Sequence, residues 1–190
     1  MLRRLLLPLL LLISATPAAA ASSPDEVRQL LQTQGVHAIM RHALAPGYSD
    51  PANFDVDDCN TQRNLSASGR EQARRIGARL RELGAAFTEI RTSQWCRCEE
   101  TAQLLDLGKP VQDPVLNSFF ENRSSADAQT GALKAHLASL PPDQRVFYVT
   151  HQVNITALTG EFVDSGEVFL IRLTPDGDVK IVGSFLLPAR

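Results

Sequence analysis

Two apolar runs that each stop on a histidine constrain this chain more than any other feature. Val36, Ala38, Ile39 and Met40 lead into Arg41 and His42, and the run "RVFYVT" (Arg145–Thr150) leads into His151. A strand with one solvent face alternates polar and apolar side chains. A continuous apolar run reads instead as a strand buried on both faces, as in parallel sheets flanked by helices. Open sheets of that kind bind ligands at the carboxyl edge of their strands. The two runs therefore predict one shared edge carrying Arg41, His42 and His151, a pattern that core packing alone does not require.

The segments between these runs read as helices and loops in alternation. Ser23-Pro24-Asp25-Glu26 is a helix start, with Ser23 as cap, Pro24 at the first helical position and two acids at the positive end of the dipole; Gly35 closes that helix. A polar loop from Ala43 to Asn64 follows the first strand, and its length marks it as functional. "LSASGREQARRIGARLRELG" is the clearest helix, with Ala73, Ile76, Leu80 and Leu83 on one face, Ser66 or Ser68 as cap and Gly84 as stop. A short strand in "FTEIRTS", a helix from about Cys98 to Leu107, an extended piece near "KPVQDPVLNS" and a helix in "ADAQTGALKAHLASL" come next. After His151 a short helix, "VNITALTG", leads to a hairpin that turns at Pro175-Asp176-Gly177. Strands alternating with helices predict a three-layer α/β/α sandwich with a mostly parallel central sheet and a C-terminal hairpin.

Length and charge narrow what such a domain does. Residues 1–21 read as a signal peptide: Arg3 and Arg4 form a basic start, Leu5 to Ile13 an apolar stretch, and "SATPAAAAS" a small-residue cleavage site. Pro8 and an apolar run of about ten residues fall short of the roughly twenty that span a bilayer, so no stable membrane span is expected after cleavage. The protein is thus expected to be periplasmic or secreted, with residues 22–190 as one domain. The net charge of the 190-residue chain is −2, and losing the leader removes two arginines and no acids. That acidic balance excludes nucleic acid as a partner. The five arginines of the long helix (Arg70, Arg74, Arg75, Arg79 and Arg81) are interleaved with Glu71 and Glu82 and read as a solvated face. Of three cysteines, Cys96 and Cys98 are too close in sequence for an easy bridge, so Cys59 is expected to pair with Cys96 or Cys98.

A third element converges on the histidine edge. "SQWCRCEETA" places Arg97 in the turn between the middle strand and its helix. Two guanidiniums and two imidazoles at one mouth suit a phosphate, because arginine offers a planar fork of donors to phosphate oxygens.

With "MRHA" (Met40–Ala43), "RNLSASG" (Arg63–Gly69), "SQWCRCEETA" (Ser93–Ala102) and "THQ" (Thr150–Gln152) in this order, the chain resembles the histidine phosphatase superfamily, also called phosphoglycerate mutase-like. The resemblance implies an exported phosphatase that hydrolyses phosphomonoesters through a phosphohistidine intermediate. In it His42 is the nucleophile, its second ring nitrogen donating to a backbone carbonyl. Arg41, Arg97 and His151 neutralise the phosphoryl oxygens, and no metal or other cofactor is needed. Glu121, in "LNSFFENR", is implied as proton donor to the leaving oxygen, with Phe119 and Phe120 expected to desolvate it; Asp113, Asp127 and Glu100 are the lesser alternatives. Arg63, Asn64 and Asn154 complete the implied substrate contacts. Ala43 and Gln152 stand where the family often has Gly, and the chain is too short for the large lid of the mutases.

Other readings compete with these. His37 and His136 are structural, and Trp95 is expected to pack between the middle strand and its helix. A periplasmic copper or zinc carrier using the three cysteines, His42 and His151 is the alternative from another class, although two arginines at the same mouth would repel a cation. A non-catalytic phospho-ligand-binding member of the same fold is a third. The substrate class is a small phosphomonoester, with an envelope sugar phosphate among the candidates.

Overall fold

The computed structural model describes residues 22–190, so the expected signal peptide at 1–21 lies outside the described residues. In chain order the elements are α1 (Pro24–Leu31), β1 (His37–Arg41), α2 (Ala67–Glu82), β2 (Glu89–Thr92), α3 (Cys96–Leu105), β3 (Pro110–Gln112), α4 (Ala126–Ser139), β4 (Val146–Thr150), α5 (Gln152–Thr159), β5 (Val168–Leu173) and β6 (Val179–Phe185). Ser23 caps α1 and forms a reciprocal box with Glu26, and Ser66 caps α2 by accepting from the Gly69 N–H at 3.0 Å. The helix in "SQWCRCEETA" starts at Cys96, two residues earlier than its sequence suggested. Trp95 is the cap, and Asp106 ends the helix in the left-handed region at φ 52°. Arg97 consequently sits in the first turn of α3 and not in the preceding turn.

All six strands form one sheet in the order β3-β2-β4-β1-β5-β6. β1, β2, β3 and β4 are mutually parallel, and the hairpin β5–β6 joins antiparallel to β1. Side chains alternate across the sheet. Ala38 and Met40 pack with Val27, Ile76, Leu80 and Leu105 beneath α1, α2 and α3, whereas Ile39 and Tyr148 pack with Leu133, Leu137 and Ile155 beneath α4 and α5. Both faces of β1 and β4 are thus covered, which is why those strands lack polar alternation. No described helix is long and apolar enough to cross a membrane.

One close approach fixes the loop that follows β1. The amino end of α2 rests on the backbone of Leu44, and a Cβ at Gly69 would lie 2.0 Å from the Leu44 carbonyl oxygen. The same loop is held from two other sides. The Ala43 N–H donates to Thr101 Oγ1 (3.1 Å), and the Leu44 N–H donates to Gln72 Oε1 (3.0 Å).

Candidate active site

The register of β1 against β4 builds the centre of the site. Arg41 pairs with Thr150, so His42 and His151 are the next residues on adjacent parallel strands, and the His42 N–H donates to the Thr150 carbonyl at 2.9 Å. Their rings meet edge to face, 5.6 Å between centroids, and both are buried.

The His42 tautomer follows from its neighbours. Nδ1 lies 2.8 Å from the Ala43 carbonyl oxygen, which only accepts, so Nδ1 carries the proton. Nε2 receives the Arg97 Nε–H at 3.2 Å and therefore presents its lone pair. Burial, reinforced by the Arg97 guanidinium, holds the His42 imidazole well below the usual histidine range; the same two causes act on His151. His42 is accordingly a neutral imidazole at neutral pH, with its Nε2 lone pair held toward Arg97.

His151 is oriented by a similar chain. Asn117 Oδ1 accepts from the Gln94 N–H (2.9 Å) and from Ser93 Oγ (3.2 Å). The single Ser93 hydroxyl proton being spent there, Ser93 Oγ accepts from His151 Nε2 at 2.8 Å. Cys98, buried beside this ring with Sγ 3.5 Å from Nε2, has its thiol pushed up to about 12 by burial and is a packing residue.

Arg97 divides its guanidinium between two tasks. Its Nη1 and Nη2 end grips Asp50 in a two-pronged ion pair (2.8 and 3.1 Å), and Nη1 also reaches the Arg63 carbonyl, while Nε faces His42. Asp50 in turn accepts from the Arg63 N–H (3.0 Å) and from Trp95 Nε1 (3.0 Å). Burial raises the Asp50 carboxyl, but the Arg97 fork and these further donors outweigh it and leave it below the usual carboxylate range. Arg41 and Arg63 are less committed. Among the described residues their guanidiniums bond only the Val163 and Ala45 carbonyls respectively, and each keeps a buried Nε–H without a partner. Burial and then Arg97 bring Arg63 down to about 10, and Arg41 is lowered chiefly by burial. Three guanidiniums crowd one pocket with a single carboxylate on Arg97, an arrangement that a tetrahedral anion would relieve.

Arg41, His42, Arg63, Arg97, Glu121 and His151 all line one cleft of about 700 Å³. Two expected contacts lie elsewhere. Asn64 spends its amide on the Cys59 and Gln62 carbonyls beside the disulfide. Asn154 is buried under the sheet edge, its amide donating to the Asn117 carbonyl at 2.9 Å. Glu121 is exposed rather than desolvated, because Phe119 turns into the interior and away from it. It accepts from Ser49 Oγ at 2.5 Å. The competing acids are committed: Asp113 pairs with Arg91 (2.8 Å) and Glu100 with Arg70 (2.6 Å), and Asp127 stands exposed at the start of α4. Trp95 packs against the core as its sequence suggested but also walls the cleft, stacked on Phe54 at 4.9 Å and edge-on to His151 at 5.3 Å.

Sequence reasoning missed Asp50, Ser93, Asn117 and Thr101. Asp50 sits in the irregular loop, where no periodicity marks it. The other three lie in or beside quoted motifs, but only their tertiary partners reveal what they do. Cys59 is bonded to Cys96, which straps the loop to the first turn of α3. That bond removes two of the thiols a metal carrier would need, and among the described residues no group of three metal-ligating side chains is gathered.

Residues 38–121 match the family described as the histidine phosphatase superfamily, branch 1. No curated protein shows significant sequence similarity to the chain. Among solved structures, the chain is similar to the protein histidine phosphatase SixA complexed with tungstate, at 18% identity and TM-score 0.60 over 79% of this chain and 96% of that one. It is also similar to YhfR of Bacillus stearothermophilus, at 16% identity and TM-score 0.55 over 78% and 95% of the two chains. The product of a Mycobacterium tuberculosis open reading frame aligns at 14% identity and TM-score 0.58 over 80% and 96%. These identities carry the fold, and the matched segment contains the Arg41-His42, Arg63 and Arg97 elements. Residues 38–121 thus match the histidine phosphatase superfamily, and the chain as a whole shares the fold of these solved structures.

Proposed function

We propose that residues 22–190 form one phosphatase domain that hydrolyses small phosphomonoesters through a phosphohistidine on His42, without a metal ion, in an exported protein whose residues 1–21 are a cleaved signal. The observation that carries this reading is the His42 geometry. Its Nδ1 is tied to a carbonyl and its Nε2 lone pair faces the Nε edge of Arg97. A phosphoryl group seated between them has phosphorus before the nucleophile and an equatorial oxygen on a guanidinium. Arg41 and Arg63 surround the remaining oxygens, and each such donor is worth about 2.7–4 kcal/mol in the transition state when pre-positioned, while His151, whose N–H is given to Ser93, borders them as a neutral ring.

In the first step His42 Nε2 forms a bond to phosphorus as the ester oxygen departs, and Glu121 gives that oxygen its proton. In the second, water attacks the phosphohistidine, Glu121 takes the proton back, and inorganic phosphate and free His42 result. Glu121 suits the role by its place in the cleft and by the commitment of the neighbouring acids to arginines. The Cys59–Cys96 bond supports an oxidising compartment. Phosphate release from 4-nitrophenyl phosphate in the presence of EDTA tests the reading. Turnover is expected, and His42→Ala should lower kcat by about 10⁴-fold or more. Retained turnover in that variant would overturn the mechanism. Export predicts a mature protein beginning near Ser22 in the periplasmic or secreted fraction, whereas one beginning at Met1 would contradict it.

A further inference from the structure

Resting on the phosphatase reading, we propose that the site selects monophosphates of uncharged, ring-bearing alcohols. Three observations converge. The cleft of about 700 Å³ lies within the range of small-molecule sites and extends well beyond the histidines. Two aromatic pairs wall it: Phe54 stacked on Trp95 next to His151, and Tyr48 edge-on to Phe120 at 5.2 Å.

The second pair stands where the alcohol must lie. Ser49 binds Glu121, and Tyr48 and Phe120, the residues preceding these two, meet edge to face in the same part of the cleft as the proposed proton donor. Tyr48 is 81% exposed, the most exposed large apolar side chain among the described residues. An aromatic ring held at a cleft mouth in this way offers a face to a planar or C–H-rich ring.

Charge sets the second criterion. Arg97 is already paired with Asp50, which leaves Arg41 and Arg63 to match one phosphate dianion. A carboxylate or second phosphate on the alcohol would find no further arginine lining the cleft; Arg123, over the Phe120 ring at 5.1 Å, stands outside it in solvent. A second anion there would be desolvated without a partner, which disfavours it.

Matched esters of alcohols test both criteria in the purified protein. Benzyl phosphate and glucose 6-phosphate carry rings on a primary alcohol, and glycerol 3-phosphate does not; fructose 6-phosphate and fructose 1,6-bisphosphate differ by one anion. The ring esters should exceed glycerol 3-phosphate by about tenfold in kcat/KM, and the monophosphate should exceed the bisphosphate by a similar factor. Benzyl ahead of glucose identifies an aryl alcohol, and the reverse a sugar. Tyr48→Ala, at an exposed position that does not endanger folding, should cut the ring-to-glycerol ratio about threefold or more. Parity between ring and glycerol esters, preference for the bisphosphate, or an unchanged ratio in Tyr48→Ala would overturn this inference and leave the phosphatase reading intact. Absence of release from every ester would overturn both.

Discussion

Removing the Asp50 carboxylate should disturb this protein more than any other single change in the loop, because four donors converge on it. Asp50 is 15% and Arg97 4% exposed at the side chain, so their ion pair is desolvated. In Asp50→Ala, Arg97 keeps its charge beside Arg41 and Arg63 with no counter-charge and only the Arg63 carbonyl and His42 Nε2 as acceptors, and Trp95 Nε1 and the Arg63 N–H lose theirs. Breaking a buried pair from one side costs about 3–5 kcal/mol, which urea unfolding in phosphate-free buffer would register. Kinetics should split in a way that simple destabilisation does not produce. The freed Nη1 and Nη2 end of Arg97 can now hold an oxyanion, so inorganic phosphate should inhibit the variant more tightly. kcat should fall, because Arg97 Nε is no longer held toward His42. Saturating phosphate should return part of the lost stability, about 2.7 kcal/mol at one hundred times its Kd. A variant within about 0.5 kcal/mol of the parent, with kcat and phosphate inhibition both unchanged, would refute the reasoning.

Replacing Cys59 and Cys96 together by Ser opens a cross-link between residues 37 apart and should lower stability by about 3–4 kcal/mol in a urea titration. His37, His42 and His151 have folded-state values below the histidine reference of 6.5, with burial as the leading cause and His37 brought to about 4. The unfolded chain therefore binds protons that the fold refuses. Stability is complete above pH 6.5 and should fall below it by about 1.4 kcal/mol per pH unit for each histidine, measurable as urea midpoints at pH 7.5 and 5.5. A flat profile would mean that these rings take up protons in the folded state. Gly69→Ala drives a Cβ into the Leu44 carbonyl and should cost about 1–3 kcal/mol, with loss of activity as the segment after His42 shifts.

The layers of this fold were legible because β1 and β4 are covered on both faces and so appear as uninterrupted apolar runs. The arginine-rich α2 was legible because its polar positions recur at helical spacing. The convergence of Arg41, His42, Arg97 and His151 also followed from topology, since parallel strands deliver their carboxyl ends to one edge. What remained hidden depended on contacts distant in sequence. Asp50 meets Arg97 across 47 residues from a loop with no repeating pattern. Cys96 and Cys98 lie two apart on a helix and so face opposite ways. Cys98 points to the Thr150 carbonyl in the interior and leaves Cys96 for Cys59, a choice that composition does not encode. Asn64 and Asn154 were misplaced for the same reason: a side-chain amide is as readily satisfied by a nearby carbonyl as by a substrate. Glu121 was expected to be shielded by its phenylalanines, but chain direction sends Phe119 inward and Glu121 to the cleft mouth.

The most direct measurement is the position of phosphate on the enzyme during turnover. Alkaline quenching after rapid mixing with an aryl phosphate, followed by peptide mass spectrometry and ³¹P NMR, should find the group on Nε2 of His42, because Nδ1 is occupied by the Ala43 carbonyl. Phosphate on Nδ1 of that ring, on another residue, or on none while product accumulates would contradict the account.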